Sequence, residues 1–257
     1  MGQPAGASEV GAGVFLTRAR ELLDQVAERN AGAVAEAATM ITHALRSGGI
    51  VQAFGTGHSE GLAMEIAGRA GGLVPTNKVA LRDLVVLGGE PAQVLFDAKL
   101  ERDPEVAHRL YTLTDPHPDD LFVIASNSGV NGCIVEMAKL VKDNGHALIA
   151  VNSRAHSEGV PSRHPSGNKL GDYADIVLDN GAPYGDAILR MADGGSVCAI
   201  SSMSGALLVQ LTIAEVVRAF ELGDEPAPVY RSANIPDGDE HNKTLEARYA
   251  GRIRRSA

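Results

Sequence analysis

The feature that most constrains this chain is a design it uses twice. A short apolar run enters a turn rich in glycine and hydroxyl groups, and the chain continues with helical spacing. Ile50-Val51-Gln52-Ala53-Phe54 enters Gly55-Thr56-Gly57-His58-Ser59, with a helical stretch from about Glu60 to Ala70. Leu121-Phe122-Val123-Ile124-Ala125 enters Ser126-Asn127-Ser128-Gly129, with a helical stretch from Val130 to Asn144. Two more apolar runs follow, Ala147–Val151 and Ala174–Leu178. Apolar runs of this length alternating with helices describe strands buried on both faces, and so a parallel sheet covered on either side. The expected class is α/β, a three-layer αβα sandwich around a mainly parallel sheet of some five strands.

The flanks read differently. From Val14 to about Ser47, apolar residues recur at three- and four-residue steps, with Asn30-Ala31-Gly32 as the place where two helices would divide. Residues 1–13 are small and polar and are expected to fray. Val197 to Val217 is apolar enough to be mistaken for a membrane span, but it carries Ser201, Ser202, Ser204, Gln210, Thr212 and Glu215. A charge in hydrocarbon costs ~2.5–3.5 kcal/mol, so a buried helix at a subunit interface is the better reading, with a homodimer as its consequence and no membrane contact. The stretches 153–173 and 223–239 lack periodicity, and a last helix is expected from His241 to Arg254. Long irregular connections in compact domains are often functional. The organisation expected is one domain over residues 14–222, with a loop-and-helix extension over 223–257.

Charge excludes one large class of partner. The chain has 23 basic and 32 acidic side chains, a net charge of −9, and no tryptophan. Nothing supplies the cationic face or the stacking platforms that nucleic acid requires. Two cysteines, Cys133 and Cys198, cannot form a disulfide framework, and the N-terminus has no basic segment followed by an apolar one. A cytoplasmic setting is the expectation.

The turns carry the chemistry. At a strand end opening a helix, glycines let the backbone approach an anion, and free N–H groups with the helix dipole favour negative charge. Glu60 stands where a dinucleotide fingerprint needs its third glycine, no acidic residue follows at the end of a second strand, and no Walker A lysine is present. A single phosphate fits better than a nucleotide. In open parallel sheets the binding crevice lies outside the carboxyl ends of the strands. Two hydroxyl-bearing turns on that edge could surround a dianion without a lysine.

Taken together, Gly55-Thr56-Gly57-His58-Ser59 and Ser126-Asn127-Ser128-Gly129-Val130-Asn131 resemble the sugar isomerase (SIS) family of phosphosugar proteins, over roughly Val14 to Leu222. Ser162-Arg163-His164-Pro165-Ser166-Gly167-Asn168-Lys169-Leu170, with Gly185-Asp186-Ala187, is similar to a narrower bacterial branch. That branch is related to N-acetylmuramate-6-phosphate etherases and sedoheptulose-7-phosphate isomerases. The resemblance implies an SIS-like fold and active sites at a homodimer interface. It also implies that a sugar phosphate is held by Thr56, Gly57, Ser59, Ser126, Asn127, Ser128, Gly129 and Asn131.

Isomerisation and elimination of such sugars both begin with removal of the carbon-2 proton, for which a carboxylate is suited. The candidates are Glu60 in the first helical turn, Glu65 four residues before Arg69, and Glu101 beside Arg102. All three have plain alternatives: Glu60 as a helix-end carboxylate, Glu65 as a surface i,i+4 pair, and Glu101 as a paired glutamate on a helix surface. The segment Glu65–Arg69 is similar to one bearing the base in the sedoheptulose-phosphate branch, and Leu100-Glu101-Arg102 resembles an element near SIS active sites. His58 is the candidate acid, while His164 and His241 are candidates to complete a neighbour's site, and His117 reads as a turn residue. No residue set has metal-ligand spacing, so neither metal nor cofactor is expected. The reading is an enzyme on a hexose or amino-sugar 6-phosphate, by preference eliminating water or an ether substituent from an N-acetylglucosamine 6-phosphate-like substrate. Aldose–ketose isomerisation and non-catalytic sugar-phosphate sensing are the alternatives.

Overall fold

The computed structural model describes residues 10–254; of residues 1–13, expected to fray, 1–9 lie outside the described residues, whereas Ala12 and Gly13 already belong to the first helix. The chain opens with a helix of 35 residues, α1 (Ala12–Arg46). The break expected at Asn30-Ala31-Gly32 does not occur. Asn30 is buried, and its side-chain amide pairs with the backbone of Asp179, donating to the carbonyl at 2.9 Å and accepting from the N–H at 2.9 Å. The helix runs on because this polar residue pairs with a peptide group of the sheet instead of turning the chain.

The central sheet is built from β1 (Val51–Gly55), β2 (Thr76–Val79), β3 (Leu121–Ala125), β4 (Ala147–Asn152) and β5 (Ile176–Asp179). All pairings are parallel, in the order β2-β1-β3-β4-β5. Between them lie α2 (Glu60–Ile66), α3 (Asp83–Val86), α4 (Glu105–Thr114), α5 (Gly132–Asp143), α6 (Arg154–Glu158) and α7 (Leu170–Tyr173). The helical stretch expected to reach Ala70 therefore stops at Ile66. Side chains alternate across each strand, which divides the core into two layers. Val51, Ala53, Val123 and Ile149 pack with α1 and α2, whereas Phe54, Phe122, Ile124 and Leu148 pack with α4 and α5. The sheet is thus the middle of three layers.

After β5 come a hairpin, β6 (Ala187–Arg190) with β7 (Ser196–Ala199), and the long helix α8 (Ser201–Leu222). The helical reading of Val197 gives way to the hairpin strand. By length and composition α8 could cross a membrane, but it lays Leu208, Val209, Ile213, Val216 and Phe220 into the layer formed with α1. Leu208 and Val216 are fully covered, a stabilisation of about 1.5–3 kcal/mol for each such side chain. The tail, including α9 (Gly238–Glu246), covers the sheet edge at β2. Asn77 donates to the Arg252 carbonyl at 2.7 Å and accepts from the Arg254 N–H at 2.6 Å. The last helix is shorter than expected, ending at Glu246 before a 3-10 turn over Ala247–Tyr249.

At the amino ends of β1 and β3 one buried carboxylate, Asp120, gathers four donors. Its Oδ1 accepts from Ile50 N at 2.9 Å and from the Arg252 guanidinium at 2.6 Å. Its Oδ2 accepts from Gln52 Nε2 at 3.0 Å and from His117 N at 3.1 Å, so His117 does sit in a turn.

Candidate functional site

At the opposite ends of the same strands, register decides what meets. Val51 pairs with Leu121 and Gly55 with Ala125, so Thr56 and Ser126 leave the sheet at one level. The strand order reverses between β1 and β3, since the chain passes from β1 to β2 on one side and from β3 to β4 on the other. Ligand crevices of open α/β sheets form at such a switch point.

Glu101 spans it. The residue lies in a 3-10 turn, Leu100–Arg102, against the start of α5. Its Oε2 accepts from Thr56 Oγ1 at 2.9 Å and its Oε1 from Asn131 Nδ2 at 2.9 Å, so one carboxylate takes a donor from each turn. Close approach depends on Gly132, where a Cβ would stand 2.1 Å from the Arg102 carbonyl oxygen. Asn131 in turn accepts from Arg163 NH1 at 2.9 Å.

The β3 turn is braced from within. Ser126 Oγ accepts from Gly129 N at 3.1 Å, and Asn127 Oδ1 accepts from Asn180 Nδ2 at 3.0 Å. Ser128 is half-buried and free of such ties. In the β1 turn, Gly57 and His58 are exposed and Ser59 is half-buried, with Gly57 at φ +55°. On the α8 side of the turns lies a cavity of about 240 Å³, lined by polar groups of His58, Ser59, Asn127, Asn180, Asp186 and Ser201 and floored by Leu62 and Val151. Pockets for drug-sized ligands run from ~300 Å³ upward, so this one is sized for a smaller molecule. Asp186, at φ +71°, caps α8 by accepting from Ser201 N at 2.8 Å and Ser201 Oγ at 2.7 Å. A carboxylate there complements the helix dipole and leaves that wall acidic.

The other carboxylates expected at the site are engaged elsewhere. Glu60 pairs with Arg82 at 2.9 Å and Lys78 at 3.3 Å. Glu65 pairs with Arg69 and accepts from Gln210 of α8 at 2.6 Å. His164 is buried inside its own chain with its Nε2 2.6 Å from Glu136, and His241 bonds the Val229 carbonyl at 3.0 Å. Cys133, early in α5, is fully buried, and that burial pushes its thiol pKa far up, which makes it a poor nucleophile. Among the described residues no three His, Cys, Asp or Glu side chains converge on a metal position.

Sequence reading missed Asn180, Asp186, Ser201, Ser202 and Arg163. The available signal was the pair of branch-like segments, 162–170 and 185–187, which carry Arg163 and Asp186 but say nothing of what those residues face.

A doubly wound sheet whose switch point is lined by two serine- and glycine-bearing turns defines a class, and the comparisons agree with it. The SIS domain family model matches residues 14–153, and the chain belongs to that family. Within it the relatives are UPF0309 proteins. That of Listeria monocytogenes serovar 1/2a is 39% identical over 241 residues, covering 93% of this chain and 97% of that protein. That of Geobacillus kaustophilus is 35% identical, covering 93% and 94%. Solved structures share the fold. Phosphoheptose isomerase from Neisseria gonorrhoeae superposes with a TM-score of 0.54 at 17% identity, over 80% of this chain and 96% of that one. The enzyme of the same name from Francisella tularensis gives 0.50 at 16%, over 79% and 95%.

Proposed function

We propose that the protein is a sugar-phosphate enzyme whose base is Glu101. The observation that carries this reading is the Glu101 carboxylate, held at the switch point by one donor from each turn. The phosphate would lie on the β3 turn and the facing β1 turn, where Ser128, Ser59 and the backbone N–H of Gly57 are its neutral donors, with Thr56, Ser126, Asn127, Gly129 and Asn131 shaping the cradle. The sugar body would extend into the cavity toward Asp186, whose carboxylate disfavours the phosphate at that wall.

In the opened sugar, Glu101 removes the proton on carbon 2, and the electron pair enters the adjacent carbonyl as an enolate. His58, exposed in the β1 turn, then protonates the substituent leaving carbon 3. The enolate electrons close a carbon 2–carbon 3 double bond as water or an alcohol departs. This elimination suits an N-acetylamino sugar, whose acylated nitrogen does not give way to a 2-keto group. With a hexose 6-phosphate, whose carbon 2 bears a hydroxyl, the same proton removal gives an enediolate; transfer of the hydroxyl proton from the carbon-2 to the carbon-1 oxygen and reprotonation at carbon 1 give isomerisation, the activity named for the two solved proteins of shared fold. The reading needs no cofactor. It places the protein in the cytoplasm as a homodimer, with the exposed Met64 and Met203 of α2 and α8 on the shared face.

Incubation with N-acetylglucosamine 6-phosphate or fructose 6-phosphate in deuterated water tests the proposal by mass. Loss of water marks elimination, a one-deuteron gain marks exchange or isomerisation, and Glu101→Gln should abolish both. An unchanged mass for both sugars, with binding intact, would favour a sensor instead.

A further inference from the structure

The segment 159–170 has no part in the chemistry above, yet it is tied to the β3 turn and the residues just after it by two backbone hydrogen bonds and one side-chain bond. Arg163 N donates to the Val130 carbonyl at 3.0 Å and Leu170 N to the Gly129 carbonyl at 2.8 Å. Between these points the segment is anchored through hydrogen bonds to a buried carboxylate. Glu136 of α5, only 8% exposed, accepts from His164 Nε2 at 2.6 Å and from His108 Nε2 at 3.0 Å. His164, also 8% exposed, has its Nδ1 at 2.7 Å from Ser166 Oγ and 3.2 Å from Ser166 N. With Nε2–H given to the carboxylate, Nδ1 is the acceptor for both, so the imidazole is fixed in one orientation.

A buried carboxylate gripped by two histidines is costly to build for a surface loop that merely connects two elements. What the anchor holds in place is Arg163, next in sequence to His164. Its side chain is exposed at the rim of the crevice and makes a single hydrogen bond, to Asn131 Oδ1, leaving most of the guanidinium fork unused. The need for a cation there is plain. A phosphate dianion on the β3 turn would share the crevice with the Glu101 carboxylate, and the two repel.

We propose that Arg163 is the cationic ligand of the substrate's phosphate, and that the Glu136–His164 pair sets its position. The proposal rests on the phosphate site described above. The guanidinium rests on Asn131 Oδ1; with substrate bound it donates to the phosphate oxygens, in the paired geometry that Arg favours with such anions. The segment is then a strap that carries charge to a cradle otherwise made of neutral donors.

Calorimetric titration of the full chain with inorganic phosphate and with N-acetylglucosamine 6-phosphate tests it. Arg163→Gln should weaken both ligands at least tenfold and flatten the salt dependence of binding, and Arg163→Lys should restore part of the loss. His164→Asn should weaken phosphate similarly, and the double variant Arg163→Gln/His164→Asn should be no weaker than Arg163→Gln, since both changes remove one contact. Ser128→Ala serves as the control for the cradle itself. If wild-type protein binds and Ser128→Ala weakens it while Arg163→Gln binds as wild type, the role of Arg163 is overturned and the phosphate site stands. If wild-type protein binds neither ligand, the site reading falls and the ligand role of Arg163 with it.

Discussion

The two turns at the switch point are built to different standards. The β3 turn is braced on every side: by Ser126 within, by Asn180 and the Ser153 N–H on Asn127, and by the strap on Gly129 and Val130. The β1 turn lies exposed at Gly57 and His58, and its one side-chain tie to the opposite wall is the Thr56–Glu101 bond. The contrast assigns different work to each. A preorganised turn can hold an anion without reorganising at the moment of binding, whereas a less constrained one can bring an acid to different positions along the reaction.

The largest test of that division is Glu101→Gln, which should lower turnover by about 10²–10⁴-fold, the worth of a positioned base, with the melting temperature changed by only a few degrees. His58→Ala should lower turnover less, by about 10²-fold, and leave phosphate affinity within a factor of about two. Titration calorimetry beside the kinetic assay separates the two effects. An equal loss of phosphate affinity in the His58 variant would break the division between acid turn and anion turn.

The glycines sharpen the comparison through stability. Gly129 sits at φ +66°, and a Cβ there would press on Leu170 Cβ at 3.2 Å and Asn152 Nδ2 at 3.4 Å. Gly57 sits at φ +55°, with Glu101 Oε2 at 3.7 Å as the nearest neighbour to a Cβ. Gly129→Ala should therefore cost ~2–3 kcal/mol and Gly57→Ala about 1 kcal/mol, as read from urea unfolding. Equal costs would mean that the two turns are equally rigid.

The smallest expected effect lies at the far end of these strands. His146 is buried, its Nδ1 near the Asp120 carbonyl and its Nε2 near Tyr111 Oη, and burial lowers its pKa from the usual value near 6.5. The unfolded chain takes up a proton more readily than the folded one, so this contribution is complete above about pH 6.5 and is lost as pH falls through the lowered folded value. The urea midpoint should fall between pH 7.5 and 5.5, and His146→Gln should reduce that fall.

The fold could be read wherever burial imposes a pattern. β1, β3, β4 and β5 are apolar because helices cover both faces, and each was found within two residues of its position. β2 was missed because Thr76-Asn77-Lys78-Val79 is an edge strand whose polar side chains serve the tail and Glu60. The β6–β7 hairpin was missed because Ser196–Ala199 continues without a break into the apolar helix. Within the site, the turns announce themselves by composition. Glu101 was one carboxylate among three in the sequence, and only the contacts of Thr56 and Asn131 single it out. Arg163 and Asp186 reach the crevice from residues far along the chain, and no local pattern encodes that approach.

Asp120 has a consequence for the rim it never touches. By binding Ile50 N and Gln52 at the foot of β1, while belonging to the residue just before β3, it locks the alignment of the two strands. A slip of one residue would carry Thr56 past Ser126 by ~3.3 Å and turn every side chain of β1 to the wrong layer. The distance across which Glu101 must reach is thus gauged from the opposite end of the sheet, and the Arg252 tail fastens onto that gauge from outside.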